Sequence, residues 1–254
     1  MTDIRQAILR RPGADFADGI TTSRLGAPDH PRMLAQHAAY ATTLRALGLR
    51  VDVLEPLPGF PDAYFIEDVA VIVPERAVIA RPGAPSRRGE TEAIVPVLAR
   101  HREIVRLEDP ATLDGGDVLI VDRTVFVGLS ARTNAEGAAQ LARFLEPHGY
   151  GVRTVPVATG LHLKSSVSWL GGETLLLSER FASVPELSGY RRIVVDAADE
   201  AACNTLLVNG TLLSPAGFPA VRHKLEQTGL PVVELDVSEA RKMDGGLSCM
   251  SLRL

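Results

Sequence analysis

The sequence predicts an α/β ring: a five-bladed α/β propeller of ββαβ-type units, closed by the two ends of the chain. Three observations lead to it. Short apolar runs follow Asp68, Asp117, His162, Cys203 and Cys249 at intervals of 49, 45, 41 and 46 residues, the period of a radial repeat. Four of these runs are followed by turn residues and a second apolar run, as in a hairpin; Asn209-Gly210 is the strongest such signal. The fifth has only Met250 to Leu254, and an apolar run without a hairpin partner, Ile4 to Leu9, stands at the other end of the chain. Pairing those two closes the ring. An open α/β sheet carrying hairpins, the alternative, makes no use of that complementarity.

The elements follow in order. Ile4 to Leu9 ends in Arg10-Arg11-Pro12-Gly13 and leads to a helix spaced as Met33, His37, Tyr40, Leu44 and Leu47, closed by Gly48. After Asp68, strands are expected over 69–73 and 77–80, then a helix over 90–100 that Pro96 should kink or shorten. After Asp117, strands fit 118–121 and 124–128. Thr133-Asn134-Ala135-Glu136 then reads as a capping box opening an amphipathic helix to about His148. His162 precedes strands over 165–170 and 174–178, turned at Gly171-Gly172-Glu173. Cys203 precedes strands over 205–208 and 211–214 and a helix over 220–228, stopped by Gly229. Outer strands fit 51–54, 104–107, 152–157, 193–195 and 232–235.

Length and charge narrow the function. At 254 residues and 46% hydrophobic the chain can bury a full core, and no linker divides it, so residues 1–254 read as one domain. A formal charge of −4, with acids and bases mixed, argues against nucleic acid or an anionic membrane as partner. The N-terminus lacks the apolar core of a signal peptide, and no apolar run reaches spanning length. The two cysteines, Cys203 and Cys249, are expected to be free thiols in a reducing cytoplasm. No Cys/His spacing suits a structural zinc, and no cofactor is expected.

A ring with equivalent strand starts gathers those starts near its axis. Asp68, Asp114 or Asp117, His162 and Cys249 then share one mouth, with Gly245-Gly246 giving a substrate close approach to the backbone beside the thiol. Thiol, imidazole and carboxylate make up nucleophilic catalysis. The carboxylates exceed what a triad needs and would repel one another unless the ligand is cationic; a planar guanidinium fits carboxylates in pairs. Arg87 and Arg132, at equivalent positions before helices, suggest an anion subsite. A guanidine at one end and a carboxylate at the other describes arginine or a close relative.

Six stretches carry a resemblance: FIEDVAV from Phe65, RPGAPSRRGETE from Arg81, LDGGDV from Leu113, SARTNAEG from Ser130, LHLKS from Leu161 and KMDGGLSCMS from Lys242. Together they resemble the dimethylarginine dimethylaminohydrolase family of the guanidino-group-modifying, or pentein, superfamily. The resemblance implies hydrolysis of N-omega-methylated L-arginines to L-citrulline and methylamines through an S-alkylthiouronium intermediate. It implies Cys249 as nucleophile, His162 as acid and base, and Asp114 holding His162. Substrate contacts are expected from Asp68 and Asp244 to the guanidinium, and from Arg87 and Arg132 to the α-carboxylate. Asp62 is expected at the α-amine, Glu67 beside the substrate, and Phe65 on its aliphatic stem. Met243 is expected to offer its backbone carbonyl, and Ile20 to sit on a lid. Zinc is expected only as an inhibitor on Cys249 and His162, and the chain as a monomer or homodimer.

Two alternatives stay open. Arginine deiminases, agmatine deiminases and amidinotransferases share the Cys/His/carboxylate core, although an agmatine enzyme has no use for a carboxylate subsite. A non-catalytic propeller would keep the ring as a binding protein.

Overall fold

The computed structural model describes residues 3–158 and 160–254. In chain order, β1 (Gln6–Arg10), α1 (His30–Ala46) and β2 (Arg50–Leu54) come first. Then follow β3 (Ala70–Ile72), β4 (Arg76–Ile79), α2 (Glu90–Leu98) and β5 (Glu103–Arg106); β6 (Val118–Val121), β7 (Thr124–Leu129), α3 (Ala135–Leu145) and β8 (Gly151–Pro156); β9 (Val167–Trp169), β10 (Thr174–Ser178) and β11 (Arg191–Val195); and β12 (Leu206–Val208), β13 (Thr211–Pro215), α4 (Pro219–Glu226) and β14 (Val232–Leu235). The short α5 (Ser238–Arg241) and β15 (Leu252–Arg253) complete the order.

These strands form five three-stranded sheets. In each, an inner strand runs antiparallel to a middle strand, and the middle strand runs parallel to an outer one. The fifth sheet is β15-β1-β2. Ala7 lies opposite Arg253 and Ile8 opposite Leu252, so the two ends of the chain close the ring as the repeat predicts.

The strands read as continuous apolar runs because both faces of each middle strand are buried. Successive side chains on a strand point to opposite faces, and here each face meets a different neighbouring blade. Val125 and Val127 of β7 pack toward the β3–β5 blade, while Phe126 packs toward β9 and β10. Leu175 and Leu177 of β10 face back toward β7, and Leu176 faces β13. Five apolar clusters among the described residues fill the five joints between blades.

Four details differ from the sequence reading. Four of the five inner strands start later than expected because a 3-10 turn precedes each, β6 alone starting at Val118 as expected; Asp68 lies within such a turn, Ile66–Val69, and β3 begins at Ala70. β10 and β11 are joined by two 3-10 turns rather than an α-helix, where Pro185 and Gly189 interrupt any longer helical run. α2 carries Pro96 inside it and ends at Leu98; Pro96 has no N–H to donate to the preceding turn. The cap of α3 is Asn134, whose side chain accepts the Gly137 N–H at 2.8 Å, because the Thr133 hydroxyl is taken by Asp117 at 2.7 Å. Among the described residues no helix is long and apolar enough to cross a membrane.

Candidate active site

At one end of the axis five 3-10 turns lead into the inner strands: Ile66–Val69, Gly115–Asp117, Leu163–Ser165, Ala197–Cys203 and Ser248–Met250. The recurrent residues of the sequence stand in or beside these turns. Asp68, His162 and Cys249 line one cleft with Arg87, Arg132 and Asp244. Ile20, Asp62, Phe65 and Met243 complete its walls. Cys203 is excluded: it is fully buried in the cluster between β10 and β13, and burial pushes its thiol far above the ordinary range. The cleft measures about 20 Å³, room for about one water.

His162 Nε2 lies 3.0 Å from Asp114 Oδ2. Asp114 is fully buried and also accepts the Gly83 N–H at 2.9 Å. With Nε2 engaged, Nδ1 is the ring nitrogen left for chemistry; it sits 3.9 Å from Asp68 Oδ1. The ring fits here because residue 116 is glycine. A Cβ there would meet His162 Nδ1 at 2.5 Å and Asp68 Oδ1 at 2.8 Å. Asp117 works one layer behind. It accepts the Leu163 N–H at 2.9 Å and the Ser130 hydroxyl at 2.6 Å, fixing the turn that follows His162. Of the two candidates, Asp114 is the one on the imidazole.

The electrostatics assign charge states to the groups of the cleft. Burial works against a protonated His162, but Asp68, the hydrogen bond to Asp114 and the charge of Asp117 outweigh it and push the pKa up to about 9. Burial likewise disfavours charge on Asp114, yet His162, Arg87 and the Gly83 N–H hold its pKa below the ordinary value. Burial, Glu67 and Asp68 push the Cys249 thiol up to about 12, against smaller lowering effects from the backbone of Gly246 and from Lys164. The resting pair is a neutral thiol and an imidazolium.

The two arginines differ. Arg87 is buried and committed: it donates to Asp68 at 2.6 Å, to both Glu90 oxygens at 2.9 and 2.8 Å, and to the carbonyls of Asp62 and Phe65. Arg132 lies 3.9 Å from Asp114 and keeps 16% of its side chain exposed. Both arginines expected at the α-carboxylate line the cleft, and Asp68 and Glu90 offset the charge of Arg87. Glu90 escaped the sequence reading, although its spacing of three residues from Arg87 is a helical pairing signal.

The carboxylates expected around the substrate are occupied too. Asp62 accepts the Ile20 N–H at 3.1 Å on both oxygens. Asp244 accepts the Thr22 N–H at 2.5 Å and the hydroxyls of Thr21 and Thr22 at 3.2 and 3.0 Å. The loop bearing Ile20 is thus held down by groups that a ligand would need. Phe65 stacks on Tyr64 with ring centroids 4.0 Å apart.

Two expectations need correcting. Glu67 does not line the cleft; it lines a cavity on the far side of the turns. Its carboxylate takes Lys164 Nζ and Arg253 at 2.7 Å and the Ser248 hydroxyl at 2.8 Å. Side-chain direction on a short turn is not readable from neighbouring residue types. The Gly245-Gly246 pair serves packing more than substrate approach: a Cβ on Gly245 would run into the Phe65 ring, and one on Gly246 would meet Asn204 Oδ1 at 2.5 Å. Asn204, Lys164, Ser248 and Arg253 carried no recognisable signal in the sequence.

Asp68, Asp114 and His162 bring three ligand-type atoms within 4.8 Å of one another; Cys249 is not in that group. Asp68 already accepts the Gly116 N–H and an Arg87 N–H, and Asp114 engages His162.

A family model described as N,N dimethylarginine dimethylhydrolase, eukaryotic, matches residues 28–168. The N(G),N(G)-dimethylarginine dimethylaminohydrolase of Pseudomonas aeruginosa is 41% identical over 98% of this chain and 99% of its own. A solved structure of that organism's enzyme, a cysteine-to-serine mutant complexed with citrulline, superposes with a TM-score of 0.98 at 40% identity over the whole of both chains. A solved dimethylarginine dimethylaminohydrolase carrying a histidine-to-glycine change and an adduct with S-methyl-L-thiocitrulline gives 0.96 at 40% identity, over 99% of this chain and 100% of its own.

Proposed function

The chain belongs to the dimethylarginine dimethylaminohydrolase family, and from that premise we propose that it hydrolyses N-omega-methylated L-arginines to L-citrulline and dimethylamine or methylamine. One observation carries the proposal: the Cys249 thiol and the His162 imidazole line the same carboxylate-rich cleft, in a fold matching a relative complexed with citrulline.

The charge states define the order of events. A thiol held near 12 is a weak nucleophile at neutral pH. A guanidinium entering beside it adds positive charge and favours the thiolate, the thiol proton passing to solvent because His162 is already protonated. Asp68 and Asp244 accept the guanidinium N–H groups and restrain its rotation. The Cys249 sulfur attacks the guanidinium carbon, and an S–C bond forms. His162, already protonated, gives its proton to the methylated nitrogen, the C–N bond breaks and the amine departs, leaving an S-alkylthiouronium. His162, now neutral, takes a proton from water as that water adds to the same carbon. The C–S bond then breaks as the added hydroxyl passes its proton to the departing sulfur, releasing citrulline and the resting thiol. Arg132 binds the α-carboxylate and Asp62 the α-amine. The nucleophile belongs to the chain, so the reaction calls for no metal; zinc on Cys249 and His162 would block both.

The test is citrulline release from asymmetric dimethylarginine, arginine and agmatine side by side, with an intact-mass search for the covalent adduct. Turnover of dimethylarginine is expected, with an adduct that Cys249→Ser abolishes. Comparable turnover of agmatine would overturn the carboxylate subsite. Absence of any substrate-dependent mass gain, with Cys249 and Cys203 alkylated equally slowly, would favour a binding protein.

A further inference from the structure

The ring has a second opening. On the face where the inner hairpins turn, the inner strands enclose a cavity of about 640 Å³, within the size range of small-molecule sites, about 300–1,000 Å³. Its walls are apolar, with Val71, Ile120, Trp169 and Leu207 among them. Its floor is charged and lies directly behind the turn that carries Cys249.

That floor is Glu67 between Lys164 and Arg253, each 2.7 Å from the carboxylate. The carboxylate side chain is only 3% exposed, whereas Lys164 keeps 13% and Arg253 18%. Glu67 also lines the cavity, but a molecule there meets more of the two cations than of the anion. The remaining partners of Arg253 are the carbonyls of Ser248 and Ser251 and the Ser251 hydroxyl, which carry no charge. Two positive charges thus share one negative charge at the closed end of an apolar tube. The acids on the lining, Asp3 and Asp122, are exposed, where solvent screens them.

We propose that this axial cavity is an effector site for a monocarboxylate with an apolar body, its head on Lys164 and Arg253 and its chain along the inner strands. The site reports to the reacting sulfur through two contacts: Arg253 donates to the Ser248 carbonyl at 3.1 Å, and the Ser248 hydroxyl donates to Glu67 at 2.8 Å. A bound carboxylate offsets the positive charge behind Cys249 and so disfavours its thiolate. The proposal does not depend on the reaction assigned to the cleft, because thiolate formation is readable without substrate.

Octanoate is the probe, octylammonium its charge-reversed control. Calorimetry on the whole protein, with citrulline present at high concentration to occupy the cleft, is expected to show one saturable octanoate site and none for octylammonium. Affinity falls at least tenfold in Lys164→Met and in Ile120→Trp, the latter filling the tube from its wall. Saturating octanoate slows iodoacetamide alkylation of Cys249 severalfold in the wild type and leaves it unchanged in Ile120→Trp. No saturable binding, equal binding of octylammonium, or binding indifferent to Ile120→Trp would each overturn the site. Saturable binding with no change in alkylation would overturn its effector role.

Discussion

Cys249 and His162 carry opposite demands in the cleft, and the carboxylates around them explain both. The same Asp68 that raises the imidazole also raises the thiol, so the site favours a proton on each partner. Alkylation of Cys249 by iodoacetamide in the absence of substrate should therefore climb steadily from pH 7 to 10 without levelling; a plateau near pH 7 would show a preformed thiolate. The acid role of His162 has the opposite slope. Its pKa is raised to about 9, so the imidazolium is present below that value and lost as pH rises through it. An alkaline limb in the single-turnover rate of amine release is expected there, moving to lower pH in Asp114→Asn. His162→Gly should lower kcat by about 10²–10⁴-fold, the usual worth of a positioned acid or base. Arg132→Ala removes the less committed guanidinium and should raise KM about tenfold or more, with less effect on kcat; an equal loss for agmatine would deny its link to the α-carboxylate. The sequence revealed which residue types meet at the mouth, because the repeat brings equivalent positions together. It did not reveal that Arg87, Asp62 and Asp244 already have partners, since Glu90 and the loop carrying Ile20, Thr21 and Thr22 reach them only through the folded backbone.

Elements were legible wherever hydrophobic period and turn chemistry agreed. Asn209 and Gly210 adopt φ of 46° and 82°, the left-handed pair that an Asn-Gly hairpin requires, and β12 and β13 pair around them. Element ends were harder, because side-chain oxygens choose among competing donors. Thr133 and Asn134 show this: both can cap a helix, and the buried carboxylate of Asp117 decides between them by taking the threonine. Asn134 then does more than cap α3. Its oxygen also accepts the Thr112 N–H at 3.0 Å and its amide donates to the Pro110 carbonyl at 2.9 Å, tying the helix to the loop before Asp114. Asn134→Ala should destabilise the protein by about 1–2 kcal/mol in urea titrations, with Asn134→Ser recovering part of the loss. A change below about 0.3 kcal/mol would mean that water replaces the cap without penalty.

Four of the five blades are tied together around one buried carboxylate. Glu67 comes from the β3–β5 blade; Lys164 follows His162 at the start of the β9–β11 blade; Ser248 and Arg253 belong to the closing blade. Asn204, before β12, adds a fourth blade by donating to the Lys164 carbonyl and the Ser248 hydroxyl and accepting the Ser248 N–H. The spacing of the nucleophile from the base is thereby set by residues that line neither side of the cleft. Burial alone would raise the Glu67 pKa, but Lys164 and Arg253 prevail and hold it below the ordinary carboxylate value. A depressed folded pKa contributes stability above the unfolded value, about 4.3, and that contribution disappears as pH falls through the folded value. Glu67→Gln leaves the two cations without their anion and should destabilise the fold by about 3 kcal/mol at pH 7. The gap between wild type and variant should narrow as pH falls below the unfolded value and close below the folded one, where the wild-type carboxyl is neutral as well. Urea midpoints measured at both pH values decide the matter: a gap of the same size at pH 3.5 as at pH 7 would mean that Glu67 holds the blades together through shape and hydrogen bonds, not through its charge.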